Sequence, residues 1–155
     1  MLAAAFAVIS WNSFKVEEYD IYSLIQKTDI SDAPTSLEER YDIGMDLSGY
    51  TYEILIDEDF IVDIYYTSIH NENITFEFCQ MTKYLLQGKR IDAENLLQKP
   101  TTIEVNGSIG MYIQYRNGAH HIFWDNGDYF IEVTASCAFS TNELIMIFNS
   151  VQKVE

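Results

Sequence analysis

Positive charge is scarce in this sequence. Its 155 residues include nine Lys and Arg against 24 Asp and Glu, which gives a formal net charge of -15 at pH 7. Proteins that bind nucleic acid or adhere to anionic lipid present clusters of basic side chains. Neither class fits this composition, so we expect no nucleic-acid partner. The acidic excess by itself indicates solubility.

Motifs of catalysis and of metal binding are also missing. The two cysteines, Cys79 and Cys137, lie far apart and form no C-x-x-C pair, which excludes a zinc site built from cysteines. They are either two buried free thiols or a disulfide formed in an oxidising compartment. There is no Gly-rich nucleotide loop and no G-x-S-x-G elbow. We therefore predict no enzyme activity, no cofactor and no metal.

The chain has no hydrophobic run long enough to span a bilayer, which needs about 20 residues. Residues 2–11 read LAAAFAVISW and follow no basic residue, so they make a poor signal peptide. Two interpretations stay open, the tail of a membrane helix or the start of an amphipathic helix through Phe14. We assign residues 1–34 to an N-terminal helix and connector, the remnant of a membrane-anchored stalk under the first interpretation. Residues 35–155 form a single α+β domain.

Short β-branched and aromatic runs alternate with turn signals through most of that domain. Between Thr101 and Ala135 the turns are three Asn-Gly pairs, which favour hairpins because Asn and Gly tolerate positive φ. We predict a three-residue turn at Asn106-Gly107-Ser108 and two-residue loops at Asn117-Gly118 and Asn126-Gly127. An earlier meander covers residues 50–78, with an acidic turn at residues 57–59.

Helices are predicted from capping patterns. Ser140 with Glu143 makes a capping box, and an amphipathic stripe follows it. Two overlapping boxes at Thr35 and Ser36 predict a short helix to about Ile43. The predicted fold is α+β, with an antiparallel sheet of about six to seven strands in two meanders and a C-terminal helix packed on one face.

The two-residue loops fix which side chains share a face of the sheet. They place Ile113, Ile122 and Ile131 on one apolar face, and Tyr112, Phe123 and Phe130 in a row on the other. Either a helix covers this aromatic row, or the row is an exposed stripe that contacts a partner.

The exposed-stripe interpretation supplies the candidate binding residues. Tyr112, Phe123 and Phe130 would be the anchors of the contact, with His121 and Glu132 at its rim. Because His121 lies opposite Glu132 in this register, the carboxylate is expected to favour the imidazolium form. A surface pair of little consequence is the alternative for these two residues.

Residues 34–151 resemble a known family. The matching segments are TSLEERY at residues 35–41, SGYTYEIL at 48–55, IEVNGSIGMYIQYRNG at 103–118, IFWDNGDYFIEV at 122–133 and FSTNELIMIFNSV at 139–151. They resemble uncharacterised extracytoplasmic domains of Gram-positive bacteria, often found behind the membrane helix of anti-sigma-factor-like proteins. A departure is Leu47-Ser48-Gly49, where that family usually carries a proline-glutamate-glycine turn.

The resemblance implies a function but no catalytic residues. It implies a non-enzymatic sensing or interaction domain of a membrane-associated, anti-sigma-like regulatory protein in the cell envelope. The partner would be a protein, a peptide or an envelope ligand, and a membrane anchor could lie upstream. The alternative is a carrier of a small apolar ligand or lipid, with a cavity lined by Phe76, Phe78, Trp124 and Tyr129.

Overall fold

The computed structural model describes residues 17–20, 30–87, 89–105 and 107–155. The alternatives for residues 2–14 lie outside these described residues. Single 3₁₀ turns occupy Ile30–Asp32, Lys83–Leu86 and Ala93–Asn95. The strands and the helix are, in chain order, β1 (Glu18–Asp20), β2 (Tyr41–Ile43), β3 (Tyr50–Glu58), β4 (Ile61–Ser68), β5 (Thr75–Thr82), β6 (Arg90–Asp92), β7 (Thr101–Val105), β8 (Ser108–Gln114), β9 (His120–Asp125), β10 (Tyr129–Ala135), α1 (Thr141–Asn149) and β11 (Val151–Lys153).

A seven-stranded antiparallel sheet forms the centre of the fold, in the order β3-β4-β5-β10-β9-β8-β7. The two meanders join where β5 pairs with β10, with Phe78 opposite Val133. Two small sheets, β1 with β6 and β2 with β11, lie outside it. The predicted α+β architecture is confirmed. The first strands of the two meanders, β3 and β7, become the edges of the sheet.

Val105 pairs with Ser108, so two residues separate the paired ends of β7 and β8. Gly107 has a φ of +73°, a value that favours glycine. The prediction of a three-residue turn here is therefore wrong. That prediction was meant to keep Ile103 on the same face as Met111, but Met111 belongs to the other face and Ile103 pairs with Gly110.

The next turn has three central residues instead of two. The Tyr115 amide donates to the Ala119 carbonyl at 2.9 Å, which leaves Arg116, Asn117 and Gly118 as the loop. Gly118 has a φ of +88°, as a left-handed third residue requires. A side chain there would also collide with the Cβ of Cys137, 2.6 Å from where a Cβ of Gly118 would stand.

This extra residue shifts the register of β8 against β9 by one position. Tyr112 lies opposite Ile122, and Ile113 lies opposite His121. A shift of one moves every side chain of a strand to the other face. The expected grouping of Ile113 with Ile122 and Ile131 is therefore wrong, as is the row of Tyr112 with Phe123 and Phe130.

The third turn is centred on Gly127-Asp128, because the Asn126 amide donates to the Tyr129 carbonyl at 3.1 Å. Trp124 consequently pairs with Ile131 and not with Tyr129. This shift of two positions leaves each side chain on its expected face. The predicted position of this loop was wrong. The prediction that Ile122 and Ile131 share a face of the sheet was correct.

One face of the sheet, here called the helix face, is covered by α1 and by the β2–β11 pair. The Ser140 side chain accepts from the Glu143 amide and the Glu143 carboxylate accepts from the Ser140 amide, so the predicted capping box is confirmed. Leu144, Ile147 and Phe148 are buried by the same packing. The buried residues around them are Val62, Tyr66, Phe76, Phe78, Tyr112, Ile122, Trp124, Ile131 and Val133.

The segment before β7 covers the second face, here called the loop face. The sheet contributes Cys79, Met81, Met111, Ile113, Phe123 and Phe130, and the covering residues include Leu86, Ile91 and Leu96. Strand β1 extends this layer by pairing with β6, with Tyr19 opposite Ile91. Both faces of the central part of the sheet are thus buried. Cys79 is buried and Cys137 is exposed, and both are free thiols.

The short helix predicted from Thr35 to Ile43 is wrong. Buried polar side chains of the sheet bind the backbone of this segment and hold it in an irregular path that ends in β2. The Tyr129 hydroxyl accepts from the amides of Glu38 and Glu39 at 3.0 and 3.2 Å. Gln80 accepts from the Tyr41 amide at 3.0 Å. These bonds satisfy the amides that a helix would otherwise have to satisfy.

Candidate binding surface

Tyr112, the first predicted anchor, lies on the helix face and is 6% exposed. Its hydroxyl is 2.7 Å from Nδ1 of His120 and 3.2 Å from the Thr141 hydroxyl at the start of α1. Both polar contacts hold the ring under the helix. The expected exposure of Tyr112 is therefore wrong, and its observed contacts are those of a core residue.

Phe123 and Phe130 lie on the opposite, loop face, where they are 0% and 1% exposed. Their ring centroids are 5.7 Å apart, and the segment before β7 covers them. The two phenylalanines do pack together as predicted, but under a layer of protein. The expected aromatic stripe is thus absent from the surface of the described chain. A direct contact of these side chains with a partner would require the covering layer to open.

His121 and Glu132 are close to each other, although Thr134 is the residue directly opposite His121. Nε2 of His121 lies 3.7 Å from the Glu132 carboxylate, which also contacts the Lys89 ammonium at 3.3 Å. Burial lowers the pKa of His121, and this effect outweighs the opposing attraction of Glu132. The carboxylate does favour the imidazolium form, as expected, but burial has the larger effect on the pKa, so the neutral form of His121 is favoured.

The residues proposed to line a carrier cavity are also in the core. Phe76, Phe78 and Tyr129 are 2% exposed or less, and Trp124 is 8% exposed. Trp124 packs against Phe148 of α1 with ring centroids 6.0 Å apart. All four side chains are therefore packed in the core of the described chain.

Four exposed apolar side chains lie close together in sequence on strand β3, at one edge of the sheet. Tyr52, Ile54, Leu55 and Ile56 are 69%, 53%, 48% and 38% exposed. Among the described residues, β3 has one hydrogen-bonded neighbour, β4. An edge strand presents unpaired amide and carbonyl groups along its free side. Apolar side chains and free backbone groups therefore occur together along nine residues.

A groove of about 490 Å³ lies beside this edge, on the helix face. The floor of the groove is aromatic. The ring of Tyr66 stacks on the ring of Phe76 with centroids 4.5 Å apart, and the ring centroid of Tyr52 lies 6.3 Å from that of Tyr66. The Tyr66 hydroxyl is 3.4 Å from the Asp42 carboxylate. Burial and the nearby Asp42 charge raise the pKa of Tyr66, which keeps the phenol protonated. The lining residues are Asp42, Leu47, Tyr50, Tyr52, Ile54, Ile64 and Tyr66.

The surroundings of the groove are acidic. Residues 50–60 include Glu53, Asp57, Glu58 and Asp59 and no Lys or Arg. Arg40 is one neighbouring cation, and it contacts the Asp57 carboxylate at 3.2 Å. The edge and groove, together called the β3 edge site, thus combine apolar side chains with negative charge.

Two kinds of feature are absent from the described part of the chain. No group of three His, Cys, Asp or Glu side chains is placed to hold a metal ion there. No helix within it is both long and apolar enough to cross a membrane.

Sequence reasoning identified the strand of the β3 edge site but missed its exposure. The alternation of Tyr50, Tyr52 and Ile54 indicates that they share one face of a strand, and it does not indicate whether that face is covered. The signal that could have located the site is topological. The first strand of a meander has one sequential neighbour, so β3 is an edge unless another strand pairs with it. A β-bulge at Leu55 also places Ile56 opposite Asp63, so Ile56 lies on the other face of the sheet from Ile54.

Taken together, the fold and the site define a class: an α+β domain with a doubly covered antiparallel sheet and one exposed apolar edge. Residues 40–151 match the model of a family described as a domain of unknown function (DUF4367). The chain belongs to this family. No curated protein and no solved structure shows significant similarity to it.

Proposed function

We propose that this protein is a non-enzymatic interaction domain that binds an extended polypeptide along the β3 edge site. The observation that carries the proposal is the exposure of Tyr52, Ile54 and Leu55 on an edge strand. Soluble proteins usually protect such edges with charge, proline or a covering element. An exposed apolar edge therefore favours a partner that covers it.

The free backbone of β3 favours an extended strand as the bound form. Strand addition uses main-chain hydrogen bonds for affinity and alternate side chains for specificity. The groove would receive every second side chain of the partner beside Tyr52 and Ile54. The aromatic floor of Tyr66 favours an apolar or aromatic side chain there.

Charge complementarity favours a basic partner. The protein carries a net charge of -15, and acidic side chains at Glu53, Asp57 and Glu58 belong to β3 itself. Two copies of the chain meeting at this edge would place like charges together, which disfavours self-association. A peptide that alternates apolar residues with Lys or Arg would match the site.

The cellular setting of the proposal comes from the resemblance of residues 34–151 to extracytoplasmic, anti-sigma-like modules. In that setting the domain lies in the cell envelope, next to a membrane anchor upstream, and senses a protein or peptide. The family match supports the assignment of residues 40–151 to one such domain. The location in the cell envelope and the upstream anchor are part of the proposal.

A small apolar ligand is the second candidate, favoured by the groove itself. Its volume of about 490 Å³ lies in the size range of small-molecule sites. Such a ligand would contact Tyr52, Tyr66 and Ile64 but would leave the backbone of β3 unpaired. Protection of the β3 amides therefore separates the two candidates.

The test is a titration of the full chain with a synthetic peptide of about nine residues, the length of a long strand, that alternates lysine with valine. Binding is followed by isothermal calorimetry. Ile54→Asp should weaken the affinity at least about tenfold, since it places a charge in the apolar contact. Ile109→Asp is the matched control, because Ile109 is 64% exposed on β8 away from this edge.

Three results would contradict the proposal. These are equal affinities of the two variants, tight binding of the matching glutamate–valine peptide, and no binding of the lysine–valine peptide at low salt. Concentration-dependent dimers of the unbound protein that Ile54→Asp disperses would assign the edge to a second copy instead.

A further inference from the structure

Among its described lining residues, the groove of the β3 edge site contains a single carboxylate and no Lys or Arg. Three of the other lining side chains are aliphatic and three are tyrosines. The full set is Asp42, Leu47, Ile54, Ile64, Tyr50, Tyr52 and Tyr66. A carboxylate among apolar and aromatic side chains is less screened than one in bulk water, so it attracts a cation more strongly.

The Asp42 carboxylate is held in place through one of its two oxygens. Asp42 is half-buried on β2, and its Oδ1 accepts a hydrogen bond from the Ile43 amide at 2.7 Å. The Tyr66 hydroxyl donates to the same oxygen at 3.4 Å. The other oxygen, Oδ2, has no hydrogen-bond partner among the described residues. One oxygen therefore positions the carboxylate, and the second is left for a ligand.

The neighbouring basic side chains of the protein are bound to other carboxylates. Arg40, two residues before Asp42, contacts the Asp57 carboxylate at 3.2 Å. Lys153 on β11 contacts the Glu39 carboxylate. Neither of these cations neutralises the charge of Asp42, so the groove lacks a counter-ion of its own within the described part of the chain.

The register of β3 against β4 orders the side chains along the groove. Ile54 pairs with Ile64, and two residues away Tyr52 pairs with Tyr66. The groove thus has an aliphatic end and an aromatic end, and the hydroxyl of Tyr66 places Asp42 at the aromatic end. The faces of tyrosine rings attract cations through the ring quadrupole. Aromatic rings beside a carboxylate therefore form a site for a cationic group.

We infer that the groove binds the side chain of a lysine and that Asp42 selects it. The methylene stem lies on the Ile54–Ile64 end and along the ring of Tyr66, which satisfies the apolar floor of the groove. The ammonium group lies between the ring of Tyr52 and Oδ2 of Asp42. The inference rests on the proposed function, since the lysine belongs to the extended peptide that pairs with β3.

The geometry favours an ammonium group over a guanidinium. An ammonium is a point charge that one free oxygen satisfies, whereas the bidentate contact of a guanidinium uses both oxygens of a carboxylate. Lysine in the groove also orients the bound peptide. Its alternate, apolar side chains would lie on the other face of the sheet, where Ile56 is exposed.

The first test uses the butylammonium ion, which has the stem and charge of a lysine side chain but cannot pair with a strand. Its binding to the full chain is followed by NMR shifts of the Tyr52 and Tyr66 rings. Asp42→Asn should weaken this binding at least about fivefold, since it removes the charge of the contact. Binding of 1-butanol, which has the same stem without charge, should be equal in the two proteins.

The second test measures the affinity of the lysine–valine peptide by calorimetry. Asp42→Asn keeps an oxygen for the Ile43 amide and should weaken the peptide about tenfold, because the peptide holds its lysine in place. Glu104→Gln is the matched control, since it makes the same change of charge on an exposed residue of β7, the opposite edge strand. It should change the affinity by no more than about twofold.

A further variant separates the ring from the carboxylate. Tyr52 is 69% exposed, so Tyr52→Leu removes its ring from the groove with little effect on the fold. It should weaken binding of butylammonium more than binding of 1-butanol, since the ring attracts the charge and leucine still contacts the stem.

The outcomes distinguish this inference from the peptide-binding proposal. Peptide binding that Asp42→Asn and Glu104→Gln affect equally would overturn the selection of lysine and leave the peptide-binding proposal intact. If the peptide does not bind but butylammonium binding still requires Asp42, strand pairing fails and the cation site stands. If butylammonium does not bind, or binds equally to Asp42→Asn, the inference is overturned.

Discussion

The two edges of the central sheet have the same topological origin and opposite surfaces. Strand β7 has five residues, two of them threonine, and its Ile103 packs into the core beneath α1. Strand β3 has nine residues, and its Tyr52, Ile54, Leu55 and Ile56 are exposed. A short polar edge beside a helix resists pairing with other chains, whereas a long apolar edge favours it. Because β3 and β7 are both edge strands of the same sheet, the fold alone does not explain why the apolar side chains of β3 are exposed.

The largest expected effect contrasts the covered part of the sheet with its open edge. Phe148→Ala removes a fully buried ring that packs on Trp124, and should lower the free energy of unfolding by about 3–5 kcal/mol. Tyr52→Ala removes an exposed ring and should change it by no more than about 0.5 kcal/mol. Urea unfolding measures both. If both variants lost similar free energy of unfolding, Tyr52 would stabilise the fold as a core residue does, and the distinction between covered sheet and open edge would fail.

The next effect concerns the turn that sets the register on the β7 side. Gly118→Ala places a methyl group against Cys137 at a φ of +88°, and should cost about 2 kcal/mol in the free energy of unfolding. Gly107→Ala has a similar φ of +73° but open space, so about 1 kcal/mol is expected. Thermal or urea unfolding of the two variants compares them. A smaller loss at Gly118 than at Gly107 would contradict the observed packing of the turn.

The smallest expected effect on stability tests the role of charge at the β3 edge. Arg40→Ala removes an exposed ion pair with Asp57, so the free energy of unfolding should change by less than about 0.5 kcal/mol. The same change frees a carboxylate at the β3 edge and should strengthen binding of the lysine–valine peptide at low salt. Lys153→Ala is the matched control, since it removes an exposed ion pair with Glu39 that includes no residue of β3. If Arg40→Ala and Lys153→Ala changed the peptide affinity equally, the effect would come from the net charge of the protein and not from the carboxylate at the β3 edge.

Sequence patterns predicted the elements of this fold more reliably than their register. The capping box at Ser140 and the strands of both meanders follow from local chemistry, and the structure contains them. The single extra residue in the turn before Ala119 shifts β8 against β9 by one position and places Tyr112 on the helix face. The same turn brings Gly118 close to Cys137, which lies beyond the meander and which local sequence does not place there.

The candidate site was less predictable for the same reason. Period-2 alternation gives the face of a residue but not what covers that face. Phe123 and Tyr52 have equivalent patterns in their strands, yet Phe123 is 0% exposed and Tyr52 is 69% exposed. The difference comes from the layers that cover the sheet: the segment before β7 covers Phe123 on the loop face, whereas α1 and the β2–β11 pair on the helix face leave Tyr52 exposed. A pattern in one strand contains no information about such a layer.

Hydrogen exchange of the backbone amides, with and without the lysine–valine peptide, tests the central claim most directly. Binding along the edge should slow exchange in Thr51–Asp57 of β3 and leave Thr101–Val105 of β7 unchanged, because an added strand protects only the edge it joins. Slower exchange at β7, or unchanged exchange at β3 with the peptide bound, would contradict the account.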